Sequence, residues 1–329
     1  MINMNVPLEK LKQTLGERVK VDYPLAPHTT FKIGGPADLY CEARTADELL
    51  QAISHARLLS VPVFILGGGS NILIGDKGVR GLVIKNLTKR IAIKGMKVQK
   101  QGAKEKKIVF VEADSGVPMN MLVRFTVEEG LAGLHMHLGL PGSVGGALYM
   151  NSKWTHPNGY VGDCVYQARV VTVTGEEKIV PQSYFHFGYD TSTIQKIKDV
   201  VISVVFALEA TDKTALWAIA NESITHRKNT QPQGVFTAGC TFKNLTHAQS
   251  LMAKTVNGTL SAGYLLDHAG LKGVSRGGAM ISPMHANFIV NMGKATAKDV
   301  IELIELGQEK VKEQFGIKLH EEIERVGEF

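Results

Sequence analysis

The chain has 329 residues, 44% of them hydrophobic, with 37 Lys or Arg against 31 Asp or Glu and a formal net charge of +6. That length and composition describe a globular chain of two or three domains with a large core. No run approaches the roughly eighteen consecutive apolar residues of a membrane span, MINMNVPLEKLKQ lacks a signal-peptide core, and Cys41, Cys164 and Cys240 show no CxxC spacing, which excludes membrane insertion, a disulfide framework and a zinc site and leaves the cytoplasm as the expected location.

The first strong element in chain order is a helix. Thr45-Ala-Asp-Glu48 is a capping box, in which hydroxyl and carboxylate satisfy backbone N–H groups that a first helical turn leaves open, and the helix runs through LLQAISHARLL to about Ser60. VPVFIL, GLVIKN, IVFVEA, ARVVTVT and VVISVVFALEA follow as strands rich in Val and Ile, with a second helix near PMNMLVRFTVEEG. Residues 89–107 hold eight Lys or Arg against Glu105. They predict an exposed hairpin whose lysines keep a sheet edge solvated; a phosphate-binding arm is the alternative, without the interleaved aromatics of a nucleic-acid platform. After residue 211 the stretch TDKTALWAIANESITHRKN has helical composition, and QPQGVFTAGCTFKN reads as turn and strand. Thr296 and Asp299 cap a final helix in which Val300, Ile304, Val311 and Phe315 recur at helical spacing before Gly316. These elements predict three segments: 1–86, small and βαβ-like; 87–211, β-rich; and 212–329.

Two glycine-rich loops stand out. Gly67, Gly68 and Gly69 follow a buried strand directly, and GLPGSVGGALYMN combines Pro141 with Gly142, Gly145 and Gly146. Glycine lets backbone amides approach a phosphate closely. A Rossmann site would need a helix of ten or more residues after GGGSN, and the turn DKGVR to the next strand leaves no room for one. The Walker pattern also fails, since no Gly-Lys-Ser/Thr follows. Each loop alone reads as a tight turn; the pair predicts a pyrophosphate held by loops.

HTTFKIGGPADLY, ILGGGSNILI, GLPGSVGGALYMN, QPQGVFTAGCTFKN, AGYLLDHAGLKG and HANFIVN, in that order within residues 27–327, resemble the UDP-N-acetylenolpyruvoylglucosamine reductase family. The resemblance implies an α+β chain: a two-subdomain FAD-binding fold of the vanillyl-alcohol-oxidase/PCMH type, then a C-terminal α/β substrate domain whose tail returns to the active site. It implies bound FAD, NADPH as hydride donor, and reduction of UDP-N-acetylglucosamine enolpyruvate to UDP-N-acetylmuramate in peptidoglycan precursor synthesis. It implies neither a nucleic-acid partner nor membrane insertion. A different FAD-dependent oxidase or dehydrogenase of the same fold, or a weakened nucleotide-sugar-binding descendant, are the alternatives. The chain lacks the long insertion of one subtype and is closer to the shorter one.

Residue by residue, the resemblance implies flavin contacts at Gly67, Gly68, Gly69, Ser70 and Asn71, and again at Pro141, Gly142, Ser143, Gly145 and Gly146. In Gly239-Cys240-Thr241-Phe242-Lys243-Asn244 it places Cys240 where the family usually has a serine proton donor, and a thiol of reference pKa about 8.5 is the better acid. Read in isolation, Cys240, like Cys41 and Cys164, is a small buried hydrophobe. Lys243, Asn244, Tyr189 and Arg227 are implied substrate contacts; the residues alone describe Lys243 and Asn244 as surface positions and Arg227 as a solvated helix-end arginine. Glu322, in FGIKLHEEIERVG, matches the catalytic glutamate, although Glu321 stands where the family has proline and Glu324 where many members have arginine. The family's Tyr-Arg-x-Ser motif meets Tyr189-Asp190-Thr191-Ser192, so a carboxylate replaces a guanidinium that would face the substrate anion. Arg276, Lys243 and Arg325 are the candidate replacements, unless Asp190 points outward. His285 reads as structural, and His135 with His137 give no metal site without a third ligand.

Overall fold

The computed structural model describes residues 6–101, 104–155, 158–252 and 259–329. The chain forms two compact units that alternate along the sequence: unit 1 takes 1–20, 39–68 and 81–227, and unit 2 takes 21–38, 69–80 and 228–329. The first expected segment therefore contributes to both units, and the helix Lys213–Thr230 belongs to unit 1 as far as Arg227.

In unit 1, the helix Ala46–Leu58 follows strand Pro36–Ala43 and leads into strand Val63–Leu66. Thr45 caps it by accepting from the Glu48 N–H, while the Glu48 carboxylate accepts from the Arg44 N–H, one residue earlier than a capping box requires. Strand Val63–Leu66 lies parallel to Val79–Asn86, with Val63 opposite Leu82, and ends at the first glycine loop. The helix joins Pro36–Ala43 to Val63–Leu66, while the connection between the two parallel strands is residues 67–78, which carry the first glycine loop and the strand Ile72–Ile74.

A larger antiparallel sheet runs in the order Glu177–Pro181, Val165–Val171, Val200–Ala210, Lys104–Asp114, Ile91–Gln101. Strand alternation places Val204, Phe206 and Leu208 opposite Ala113, Val111 and Val109 on one face. Leu122, Val123 and Val127 of the helix Met119–Glu128 join the same buried cluster. The expected lysine-rich hairpin is present as the last two strands of this sheet. Its edge strand exposes Ile93, Met96 and Val98 among the lysines, so the edge is less polar than its charge suggests.

Short strands and the helices Ala262–His268 and Ala297–Phe315 build the core of unit 2. Strand Ile72–Ile74 pairs in parallel with Glu324–Val326, and Ala279–Ile281 pairs antiparallel with both Ser275–Arg276 and Ile289–Asn291. Its core joins Phe31, Leu73 and Phe242 to Leu265 and Leu266 of the helix Ala262–His268 and to Leu303, Ile304 and Val311 of the helix Ala297–Phe315. That last helix starts with the expected capping box, Thr296 with Asp299, and ends at Gly316 in the left-handed region with φ 72°. Asp76 adds a second carboxylate, accepting from the N–H groups of Ala297 and Lys298 at 2.8 and 3.1 Å. Two anionic groups at the positive end of one helix favour its formation and pin it to the Asp76 loop. Replacing Thr296 with Ala is expected to cost about 1 kcal/mol. A lower urea midpoint at unchanged slope is the readout.

Candidate active site

Within unit 1 the two glycine loops come together. A Cβ on Gly67 would lie 2.4 Å from Ser143 Oγ, and one on Gly68 would lie 2.5 Å from Gly142 Cα. Any side chain at either position would fill the space between the loops, so backbone lines it. The second loop is fixed in turn: Gly145 N–H donates to Ser115 O at 2.7 Å, Val144 N–H to Val117 O at 2.9 Å, and Met119 N–H to Gly142 O at 3.0 Å. Gly142 has φ +102°, a region that favours glycine. Lys85 donates from Nζ to Gly67 O and brings positive charge beneath the first loop. A short helix, Val144–Met150, capped by Ser143, follows the second loop where the sequence showed only a turn.

The same unit holds Tyr189 and Arg227, linked by a hairpin that the sequence did not signal. Its strands are Lys153–Thr155 and Asn158–Tyr160, with Lys153 opposite Tyr160. The Lys153 ammonium lies 5.1 Å from the Tyr189 ring centroid and 5.7 Å from that of Tyr160. The next residue, Trp154, is buried and carries the Arg227 guanidinium at 3.9 Å from its ring. That stacking holds Arg227 by more than charge. His137 is fully buried nearby, and burial, with the charges of Arg227 and His135, pushes its pKa down to about 3. Its ring is therefore neutral at physiological pH. Among the described residues no group of three or more His, Cys, Asp or Glu is arranged to hold a metal.

Asp190 does not point outward. Its residue is buried, with φ +51°, in the turn closed by the Gly188 N–H to Thr191 O bond of 3.0 Å. Asn151 Nδ2 donates to Gly188 O, Ser192 Oγ to Tyr149 O, and Gln195 Nε2 to both Tyr149 O and Asp190 O, which fixes the turn to the end of the helix Val144–Met150.

Within unit 2, residues far apart in sequence meet around Cys240. The half-buried thiol follows Gly239, and its residue forms an isolated antiparallel bridge with Phe288. Asn287, fully buried, holds the next two residues: Thr241 N–H donates to its backbone O at 2.7 Å, Phe242 N–H to its Oδ1 at 2.9 Å, and its Nδ2 donates to Phe242 O at 2.8 Å. His285 Nδ1 accepts from the Asn287 N–H, in line with its structural reading. From the other side comes the tail: Glu322 N–H donates to Thr241 O at 2.8 Å, and Lys243 N–H to His320 O at 2.9 Å. Asn71, at the end of GGGSN, clasps the same tail by donating from Nδ2 to Glu322 O at 3.1 Å and accepting from the Glu324 N–H at 2.9 Å. Cys240, Glu322, Lys243 and Asn71 thus share one neighbourhood. Gly69 and Ser70 precede Asn71 in this unit, while Pro141 and Gly146 sit with the second loop of unit 1. The Asn244 side-chain oxygen accepts from the Ala262 N–H at 3.2 Å, at the start of a helix. Arg325 is engaged by both oxygens of Glu321, and Arg276 lies exposed with Nη1 on Ser275 O.

Comparison with known proteins decides the lineage. Residues 231–326 match the family described as UDP-N-acetylenolpyruvoylglucosamine reductase, C-terminal domain, and residues 37–180 match an FAD binding domain. The chain is 36% identical to the UDP-N-acetylenolpyruvoylglucosamine reductase of Desulfosudis oleivorans over 318 residues, covering 95% of this chain and 96% of that protein. This chain belongs to that reductase family. It is 35% identical to the Bacillus pumilus reductase, covering 98% of this chain and 99% of that one. The crystal structure of UDP-N-acetylenolpyruvylglucosamine reductase from Thermus caldophilus matches with a TM-score of 0.73 at 31% identity, over 94% of this chain and 98% of that one. The family's FAD binding domain spans both glycine loops, and their facing backbones and the Lys85 cation fit a diphosphate-bearing cofactor.

Two outcomes follow for the site. Gly68→Ala presses a methyl group against the Gly142 backbone, which cannot yield as a side-chain end would; flavin should be held at least tenfold more weakly, about 1.4 kcal/mol, as read from the flavin-to-protein absorbance ratio after gel filtration. Burial pushes the Cys41 thiol up to about 11 and the Cys164 thiol up to about 12. Both stay protonated at neutral pH, so maleimide should label Cys240 first, and Cys240→Ala should remove the fast phase seen by mass spectrometry.

Proposed function

We propose that this chain catalyses the NADPH-dependent reduction of UDP-N-acetylglucosamine enolpyruvate to UDP-N-acetylmuramate, a step of peptidoglycan precursor synthesis, and works in the cytoplasm where both substrates are made. Pro141, Gly142, Ser143, Gly145 and Gly146, and Gly67 to Asn71, would hold FAD, which when bound would supply hydride transfer from NADPH to the β carbon of the enolpyruvyl double bond. Hydride addition leaves a carbanion, delocalised as an enolate, at the α carbon beside the carboxylate. One proton must reach that carbon to complete the ether product.

Cys240 delivers it. The observation that carries this reading is the convergence of Asn287 and the C-terminal tail on the residues next to Cys240, which holds a thiol and Glu322 in one neighbourhood from 82 residues apart in sequence. A thiol, with a reference pKa of about 8.5, gives up its proton far more readily than an alcohol. Glu322 positions the enolic intermediate. Tyr189, Arg227, Lys243 and Asn244 receive the substrate, and the planar guanidinium of Arg227, held on Trp154, suits a diphosphate. No helix among the described residues is long and apolar enough to cross a membrane.

The test separates the two half-reactions by anaerobic stopped flow. In Cys240→Ala the flavin should be reduced by NADPH at the wild-type rate, while reoxidation by the enolpyruvyl sugar falls on the order of hundredfold or more. Cys240→Ser should recover most of the loss. Equal loss in both half-reactions, or none in either, removes Cys240 from the chemistry.

A further inference from the structure

We infer that Lys153 is the cation that receives the carboxylate of the enolpyruvyl substrate, and this rests on the reductase reading above. A substrate carboxylate that gains charge during reduction needs a positive group close to it. The position after Tyr189 cannot supply one, since Asp190 carries a carboxyl group and not a cation, and the residue is buried.

The hairpin supplies what that turn lacks. Lys153 stands directly across the ladder from Tyr160 and its ammonium lies over Tyr189 as well, 5.7 and 5.1 Å from the two centroids. Burial raises the Tyr160 pKa, and the charge of Asp190 raises it further, which places Asp190 in the same cluster as Lys153 and the two rings. The arrangement has an inside and an outside. Asp190 is 6% exposed and Tyr189 is 37% exposed, so an approaching ligand meets the tyrosine and the half-buried ammonium over it before it meets the carboxylate. Aromatic faces hold an ammonium while leaving its N–H donors available to an anion. The hairpin also buries Trp154 beneath Arg227, so consecutive residues of one strand place two cations, one on each side of it. Arg227 is suited to diphosphate and Lys153 to the single carboxylate, in line with a planar fork and a compact point charge. Arg325, one of the candidates named from sequence, already has both carboxylate oxygens of Glu321 as partners.

The experiment measures dissociation constants of the holoenzyme for UDP-N-acetylglucosamine enolpyruvate and for UDP-N-acetylglucosamine, which lacks the carboxylate. Lys153→Met should weaken binding of the first at least tenfold and change the second less than twofold, with flavin reduction by NADPH at the wild-type rate. Lys153→Arg should restore binding of the first to within a fewfold. Lys153→Met that binds both ligands as wild type does, or loses both equally, overturns the assignment to Lys153 alone. A wild-type enzyme that NADPH reduces but the enolpyruvyl sugar does not reoxidise overturns the reductase reading, and this assignment with it.

Discussion

Cys240 lies in a stretch of chain with no sheet of its own, and the hydrogen bonds of Asn287 on one side and of the C-terminal tail on the other keep that stretch in place. Buried backbone away from helices and strands must find partners one group at a time, because each unpaired N–H or C=O costs about 1–3 kcal/mol. Asn287 suits the purpose: its carboxamide carries a donor and an acceptor and serves both backbone groups of Phe242, much as a neighbouring strand would. The tail then closes the other side and is itself closed by Asn71. Thr241, Glu322 and Asn71 come from three distant parts of the sequence, so no local fluctuation can move one of them without breaking a bond to the next.

Unit 1 solves a different problem by subtraction. Where the two loops approach, Gly68 lies against the Gly142 backbone and Gly67 against the Ser143 hydroxyl, and neither glycine puts a side chain between them. Peptide dipoles held in place need not reorganise when an anion arrives, and Lys85 on Gly67 O adds a fixed positive charge. The glycine triplet also spans a passage of the chain from one unit to the other, after Gly68. It therefore ends the first glycine loop in unit 1 and leads along the chain to Asn71 in unit 2.

Local signals and distant ones were not equally legible in the sequence. The helices begun by Thr45 and Thr296 announce themselves because a cap is a contact between residues three apart, and Gly316 marks a stop through backbone chirality alone. The long Val- and Ile-rich strands are legible for a similar reason, as is the glycine pair. The interleaving of the two units is not, since nothing distinguishes the loops near residues 20, 38, 68 and 80, where the chain passes between units, from loops that stay within one. Strand Ile72–Ile74 is three residues long and its partner is some 250 residues away, beyond the reach of any periodicity. Asn287 looks like any polar loop residue until Phe242 lies beside it. The hairpin around Lys153 is missed because Lys-Trp-Thr and Asn-Gly-Tyr are too short to show alternation. The helix Val144–Met150 is hidden by its own glycines, which a composition argument assigns to turns.

The exchange of arginine for Asp190 illustrates how a site keeps its charge balance when a sequence motif does not. Motif reading treats the position after Tyr189 as if its side chain must face the ligand, yet Asp190 sits in the left-handed region, in a turn tied down by Asn151 and Gln195, and this backbone turns its side chain inward. Lys153 stands across the hairpin from Tyr160, whose pKa is raised by burial and then by the charge of Asp190. An ammonium on a flexible stem forms a less directional contact than a guanidinium fork. Geometric precision at the carboxylate must in that case come from the aromatic faces that limit where the ammonium can go.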